Sequence, residues 1–288
     1  MATRSIEAII PPPPPHMVGD GFRVHSFFPG HVIDKRRMSP FFLLDYGSKI
    51  EFSPSPVPRG VDVHPHAGFE TVTLSYHGKV AHHDSAGNSG IIGEGDVQWM
   101  TAGSGLLHKE YHEKEFSERG GLFQMVQLWV NLPAQYKKVA PKYQEITNKN
   151  MGKYELDDGS VIEVIAGQYN NVKGPAFTFT PIHVYNARMN QAAKASFHFP
   201  ASYNAAFLIV EGSAMVNGTK VPTDNLVLLG NDGEDIQLEA VEESVILVLA
   251  GEPINEPIAA YGPFLMNTWE EVDAAIDDVS KGRFGFLE

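Results

Sequence analysis

Two antiparallel β-sandwiches or barrels in tandem, with one short C-terminal helix, are the all-β architecture this chain predicts. Three observations lead there: short β-branched or alternating strands separated by glycine turns, helix signals confined to the end, and a second half that echoes the first. The segment Phe69-Glu70-Thr71-Val72-Thr73-Leu74 alternates, and residues 96–100, 122–130, 177–179, 206–210 and 245–249 also read as strands. Gly78, Gly87, Gly90, Gly93, Gly95, Gly103 and Gly105 supply the tight turns of the first half. The strand, turn and strand around Gly78 have a counterpart in Val210-Glu211-Gly212-Ser213-Ala214-Met215-Val216, which points to an internal duplication. The polar stretch Thr147-Asn148-Lys149-Asn150-Met151-Gly152 is the expected linker, giving domains over residues 1–147 and 148–288. Thr268-Trp269-Glu270-Glu271 is a capping box opening the late helix, with Val272, Ile276 and Val279 on one face and Gly282 as its C′ residue.

Composition narrows the function classes. With 43% hydrophobic and 20% charged residues the chain is an ordinary globular one. No apolar run approaches the about 20 residues a membrane-spanning helix needs. The apolar core Ala8-Ile9-Ile10 is too short for a secretory signal, so a cytoplasmic location is expected. The five prolines at 11 to 15 suit a polyproline II ligand for a protein partner, but a stiff solvated leader is the favoured reading. The absence of cysteine excludes thiolate metal sites and thiol catalysis. A net charge of −13 argues against direct nucleic-acid binding, and the compact basic cluster Lys35-Arg36-Arg37 reads as a solvated loop.

The chemistry concentrates in His64-Pro65-His66 and His108-Lys109-Glu110. Each pair has i, i+2 spacing, which on a strand puts both side chains on one face. Two such strands side by side aim three imidazoles and a carboxylate at one point. That is a mixed nitrogen and oxygen set suited to a divalent first-row metal. Glu70 is a second candidate carboxylate, in phase with the histidines if the strand runs unbroken, and spacing alone does not choose between it and Glu110. The remaining histidines have bland readings. His77 flanks a hairpin turn. His82 and His83 point to opposite faces of a strand, and His112 joins a site with His108 only if its segment is helical. Phe69, Trp99, Met100 and Phe123 either line a substrate pocket or fill the barrel. The second half has no His-x-His or His-x-Glu; its histidines are His183 and His198.

The pattern Gly-(x)5-His-x-His-(x)3-Glu-(x)6-Gly, followed by Gly-(x)5-Pro-x-Gly-(x)2-His, marks the cupin barrels. This chain departs from it: Gly60 is closer to its histidines, Thr101 replaces the proline, and His108 lies further from Gly103. One subfamily accommodates the departures. The runs from His64 to Val72, from Gly95 to Gly103, Leu107-His108-Lys109-Glu110 and Leu128-Trp129-Val130-Asn131-Leu132-Pro133 resemble the pirins. So do Ser39-Pro40-Phe41-Phe42, Pro141-Lys142-Tyr143-Gln144 and the prokaryotic-type ending around Gly262-Pro263-Phe264.

The resemblance implies a bicupin, two tandem jelly-roll barrels, with a metal in the N-terminal barrel and a C-terminal barrel without ligands. It implies His64, His66, His108 and Glu110 as metal ligands, with Glu70 left a supporting role. Iron(II) is the metal expected, although such a set also accepts manganese, nickel, zinc or copper. Quercetin 2,3-dioxygenase activity is associated with pirin-like proteins. In that scheme the metal acidifies the flavonol 3-hydroxyl, Glu110 is the general base, and reaction with dioxygen opens the heterocycle and releases carbon monoxide. Two other readings compete: a non-enzymatic, metal-containing transcription coregulator or redox sensor, as pirins are in animal nuclei, and a cupin enzyme acting on a different enol. A two-barrel chain can be self-contained, so a monomer is expected.

Overall fold

The structure, a computed structural model, describes residues 2–288. Among these residues it has 26 strands and two α-helices, and no helix is long and apolar enough to cross a membrane. The strands form two sandwiches built to one plan. In the first, a seven-stranded sheet faces the four-stranded sheet that carries, in order, Gly60–His66, Leu106–His112, Val80–Asp84 and Ser89–Ile92. In the second, another seven-stranded sheet faces Lys194–His198, Asp235–Ala240, Ala214–Val216 and Thr219–Val221. The duplication is therefore real at the level of strand order. Its anticipated landmarks correspond: Gly78 and Gly212 both turn the chain at positive φ, 85° and 72°, between matching strands.

The domain boundaries need correction. The chain leaves the first barrel between Asn148 and Lys149, close to the expected cut, but the compact units are discontinuous. Met1–Pro13 and Phe27–Pro40 belong with Lys149–Pro253, whereas Ile254–Glu288 belongs with Pro14–Ser26 and Phe41–Asn148. Strand pairing is the cause. Ile6–Ile10 joins the edge of the second barrel's long sheet by pairing with Leu226–Leu229, which covers an otherwise open strand edge. The hairpin Ala259–Tyr261/Phe264–Met266 and the last helix pack against Ala67 of the first barrel. A strand's own residues do not say which edge it will complete.

Three local readings also change. Residues 177–179 form no strand; the segment lies between Pro175 and Pro181, and Phe177 is exposed. A short helix, Lys114–Arg119, escaped notice because its N-cap is Glu113, whose carboxylate accepts from the Glu115 and Phe116 N–H groups. The last helix, Trp269–Ser280, has its capping box at Thr268 and Glu271, but its inward face is Val272, Ala275 and Val279, with Ile276 exposed.

Candidate metal centre

Gly60–His66 and Leu106–His112 are antiparallel neighbours, with His64 opposite His108 and Leu106 opposite His66. The register slips between His108 and Glu110, because the first strand carries an extra residue at 62–63. This bulge re-aims the strand and brings the Asp62 carbonyl oxygen within 2.8 Å of His64 Nδ1. The three rings crowd together, with centroids 4.2 to 4.8 Å apart. Their ligand nitrogens all lie within 4.8 Å of one another.

Electrostatics keep these rings neutral. Burial holds His108 well below the ordinary histidine value and pushes His66 down to about 3, and it lowers His64 as well. His64 Nδ1 faces the Asp62 carbonyl, and His66 Nδ1 lies 3.4 Å from the carbonyl oxygen of Pro263. Both contacts place the hydrogen on Nδ1 and leave the Nε2 lone pair free for a cation. Neither nitrogen of His108 has a hydrogen-bond partner, although the ring is fully buried. An unpaired buried imidazole costs on the order of 1–3 kcal/mol, which a bound metal would relieve. The donor set therefore fits a divalent metal of borderline softness.

Glu110 shares the inward face with His108 but stands outside this cluster. Its Oε1 accepts from Thr73 Oγ1 at 3.3 Å and its Oε2 from Gln127 Nε2 at 3.2 Å, and burial pushes its carboxyl up to about 7. Glu70 is placed elsewhere. The chain turns at Ala67-Gly68, with Gly68 at φ 87°, so the strand is broken and the expected phase is lost. On Phe69–His77, Glu70 points opposite to Thr73 and accepts from Thr101 Oγ1 at 2.7 Å. Burial raises its carboxyl to about 7.

Of the four aromatic and sulfur candidates for the pocket, Phe69 lies against a cluster histidine, 5.1 Å from His66. Met100 shares its face with Thr71 but packs with Ala102, Leu106 and Tyr143. Trp99 is fully buried on the opposite face, with Glu70, and Phe123 belongs to a core cluster with Phe22 and Phe116. Period-2 alternation sorts residues into two faces but does not say which face turns inward. Trp129 adjoins the cluster, although its local sequence marks it only as part of the Leu128-Trp129-Val130 motif. It sits 5.3 Å from His66, packs on Phe69 at 4.2 Å with the rings tilted, and stacks on Phe42 at 6.3 Å. Its position opposite Thr71 across the sheet puts it on the inward face. The same wall carries Thr71 and Gln98, whose side-chain polar atoms are buried without a protein partner. Such atoms call for water or a polar ligand.

The bland histidines are accounted for. His82 bonds Tyr143 Oη at 2.7 Å, His83 turns the other way to Tyr111 Oη at 3.0 Å, and His77 faces Glu94 at 3.4 Å. His112 lies on a strand and bonds the Gly21 carbonyl at 2.8 Å.

Residues 21–130 match the family model described as Pirin, and residues 184–285 the one described as Pirin C-terminal cupin domain. A Pseudomonas aeruginosa protein provisionally named quercetin 2,3-dioxygenase is 44% identical over 270 residues, 93% of this chain and 94% of that one. Pirin-like protein 2 of Arabidopsis thaliana is 38% identical over 262 residues, 88% of this chain and 78% of that one. The crystal structure of a quercetin 2,3-dioxygenase from Acinetobacter baumannii has a TM-score of 0.94 at 43% identity, covering 100% of both chains.

Proposed function

The chain belongs to the pirin family, and from that premise we propose that it is a metal-dependent dioxygenase that opens the heterocycle of a flavonol such as quercetin. The observation that carries this reading is the convergence of three neutral imidazoles, His66 and His108 buried and His64 half-buried, on a wall shared with a carboxyl group that burial pushes up to about 7. His64, His66, His108 and Glu110 would hold the metal, with iron(II) the favoured ion. When bound, the metal supplies Lewis acidity to an enol hydroxyl and a site for dioxygen.

The chain's own residues do the rest. Glu110, raised to about 7, can accept the 3-hydroxyl proton and return it within the same pH range, as a general base requires. Thr73 and Gln127 donate to its two oxygens and fix the carboxylate before the proton arrives. Phe42, Trp129 and Phe69 form an aromatic shelf beside His66 that suits a flat ring system. The burial of Phe69, Met100 and His108 excludes bulk water. Both atoms of dioxygen enter the ring-opened ester, and one ring carbon departs as carbon monoxide.

Anaerobic loading with iron(II), followed by oxygen and quercetin, should bleach the flavonol absorbance with stoichiometric release of carbon monoxide. No bleaching across iron, manganese, nickel and copper would sink the proposal. Turnover of other enols without flavonol turnover would move the activity to a different substrate.

A further inference from the structure

The second ligand histidine is oriented from the far end of the chain. Pro263, almost 200 residues beyond His66, presents the carbonyl oxygen that lies 3.4 Å from His66 Nδ1. The same oxygen accepts from the Ala67 N–H at 3.3 Å, and Leu265 N–H donates back to the Ala67 carbonyl at 3.1 Å. Residues 263–265 thus run beside the end of the His64–His66 strand as a short ladder.

A buried lysine pins this ladder. Lys137 is 1% exposed, and its Nζ donates to the carbonyls of Gly68 at 2.8 Å and Leu265 at 2.7 Å and to Asn131 Oδ1 at 2.5 Å. An ammonium has three donors, and these three acceptors use all of them, none being a carboxylate. The clamp joins the turn just after His66 to the segment just after Pro263. Gly68 permits the close approach, since a Cβ there would stand 2.2 Å from the Leu265 oxygen.

The same C-terminal segment touches the other ligand strand. Ser85 Oγ donates to the Phe284 carbonyl at 2.5 Å and accepts from the Leu107 N–H at 2.9 Å. Lys109 Nζ reaches the Glu288 carbonyl. The ring of Phe284 lies over Gly105. A ligand imidazole keeps its tautomer and direction through the acceptor on its other nitrogen, and losing such an acceptor typically costs 10–100-fold in metal affinity.

We propose that the C-terminal segment is part of the metal centre: Pro263 fixes the tautomer of His66, and Lys137 is the positioning residue that holds Pro263 in place. The inference concerns metal binding and stands whether or not the protein is a flavonol dioxygenase.

The first test needs no variant. Long-range 1H–15N NMR of the zinc-loaded wild-type chain should show His66 protonated on Nδ1 and bound through Nε2. The opposite tautomer overturns the proposal. The second test compares Lys137→Met with Phe207→Leu, a core change in the other barrel. Lys137→Met should raise the cobalt(II) dissociation constant about 10–100-fold and shift the cobalt d–d bands. Phe207→Leu should lower thermal stability while leaving both within twofold. An unchanged dissociation constant and spectrum in folded Lys137→Met, or equal effects in the two variants, would refute the positioning role. Should Lys137→Met not fold, the NMR tautomer decides alone.

Discussion

The two barrels share a strand order and differ in what their walls hold. In the first barrel, the row across the three central strands of the long sheet reads Gln127, Thr73, Gln98. In the second, a row across the matching strands reads Val248, Phe207, Val227. On the short sheets, His64 opposes His108 in one barrel, and Phe197 opposes Ile236 in the other. The second interior is a continuous apolar cluster in which Phe197 lies 5.3 Å from Phe207 and 6.4 Å from Phe199. One interior is apolar throughout, and the other carries histidines and polar side chains. The comparison teaches that the backbone plan supplies the place for a site, and a few inward residues decide whether it is filled.

The sharpest way to break this contrast is to move ligands across. Phe197→His with Ile236→His should destabilise the chain by about 3–5 kcal/mol and bind no metal. The rings would enter a packed apolar interior with no acceptor for their second nitrogens. Urea melts and metal analysis read both outcomes, and metal uptake by the double variant would mean that the plan matters more than its lining.

Next in size is the loss of a proposed ligand. His108→Ala should lower metal affinity by on the order of a hundredfold or more while the barrel stays folded, as read by chelator competition and circular dichroism. Substituting the carboxylates separates their roles. Glu110→Gln should reduce both bound metal and turnover, whereas Glu70→Gln should retain the metal. The reverse result would transfer the ligand role to Glu70.

The two carboxyls also set pH dependences. Both have folded values raised by burial to about 7, above the ordinary 4.5. Each therefore contributes stability that is fully present below 4.5 and is lost as pH rises through 7. Glu70→Gln removes the charged form, so the variant should gain roughly 1–3 kcal/mol over wild type at pH 8 and little at pH 5, measured by denaturant melts. For the metal, His66 at about 3 and His108 well below the ordinary value stay neutral through mild acid. Proton competition near pH 6 then falls chiefly on Glu110. Affinity should drop as pH falls below about 7 with a slope near one proton, and Glu110→Gln should flatten it.

The smallest effect is at the shelf. Trp129→Leu should raise the KM for flavonols several-fold with metal content unchanged, because stacking is worth about 0.5–1.5 kcal/mol. A fall in kcat alone would argue that Trp129 supports His66 rather than substrate.

Much of this was legible in the chain. Alternation and glycine turns are local signals, so most strands, the capped final helix, the duplication and the His64, His66 and His108 cluster could be read directly. The i, i+2 spacing works because a strand has a period of two. It left Glu70 open, because its phase holds only along an unbroken strand and the turn at Gly68 breaks it. It was silent on Trp99 and Phe123, which lie on other strands, Phe123 next to a register shift before Met125. The discontinuous units were illegible because Ile6–Ile10 completes a sheet more than 200 residues away.

The sequence by itself determined that this is an all-β, two-barrel pirin with three histidines poised for a metal in one barrel. Periodicity, spacing and motif are properties of neighbouring residues. Only the tertiary structure decided that Glu70 faces away, that Trp129 rather than Phe123 adjoins the site, and that Pro263 and Lys137 reach His66 from distant parts of the chain. Those outcomes depend on pairing and close approach between segments far apart in the chain, which no local pattern records.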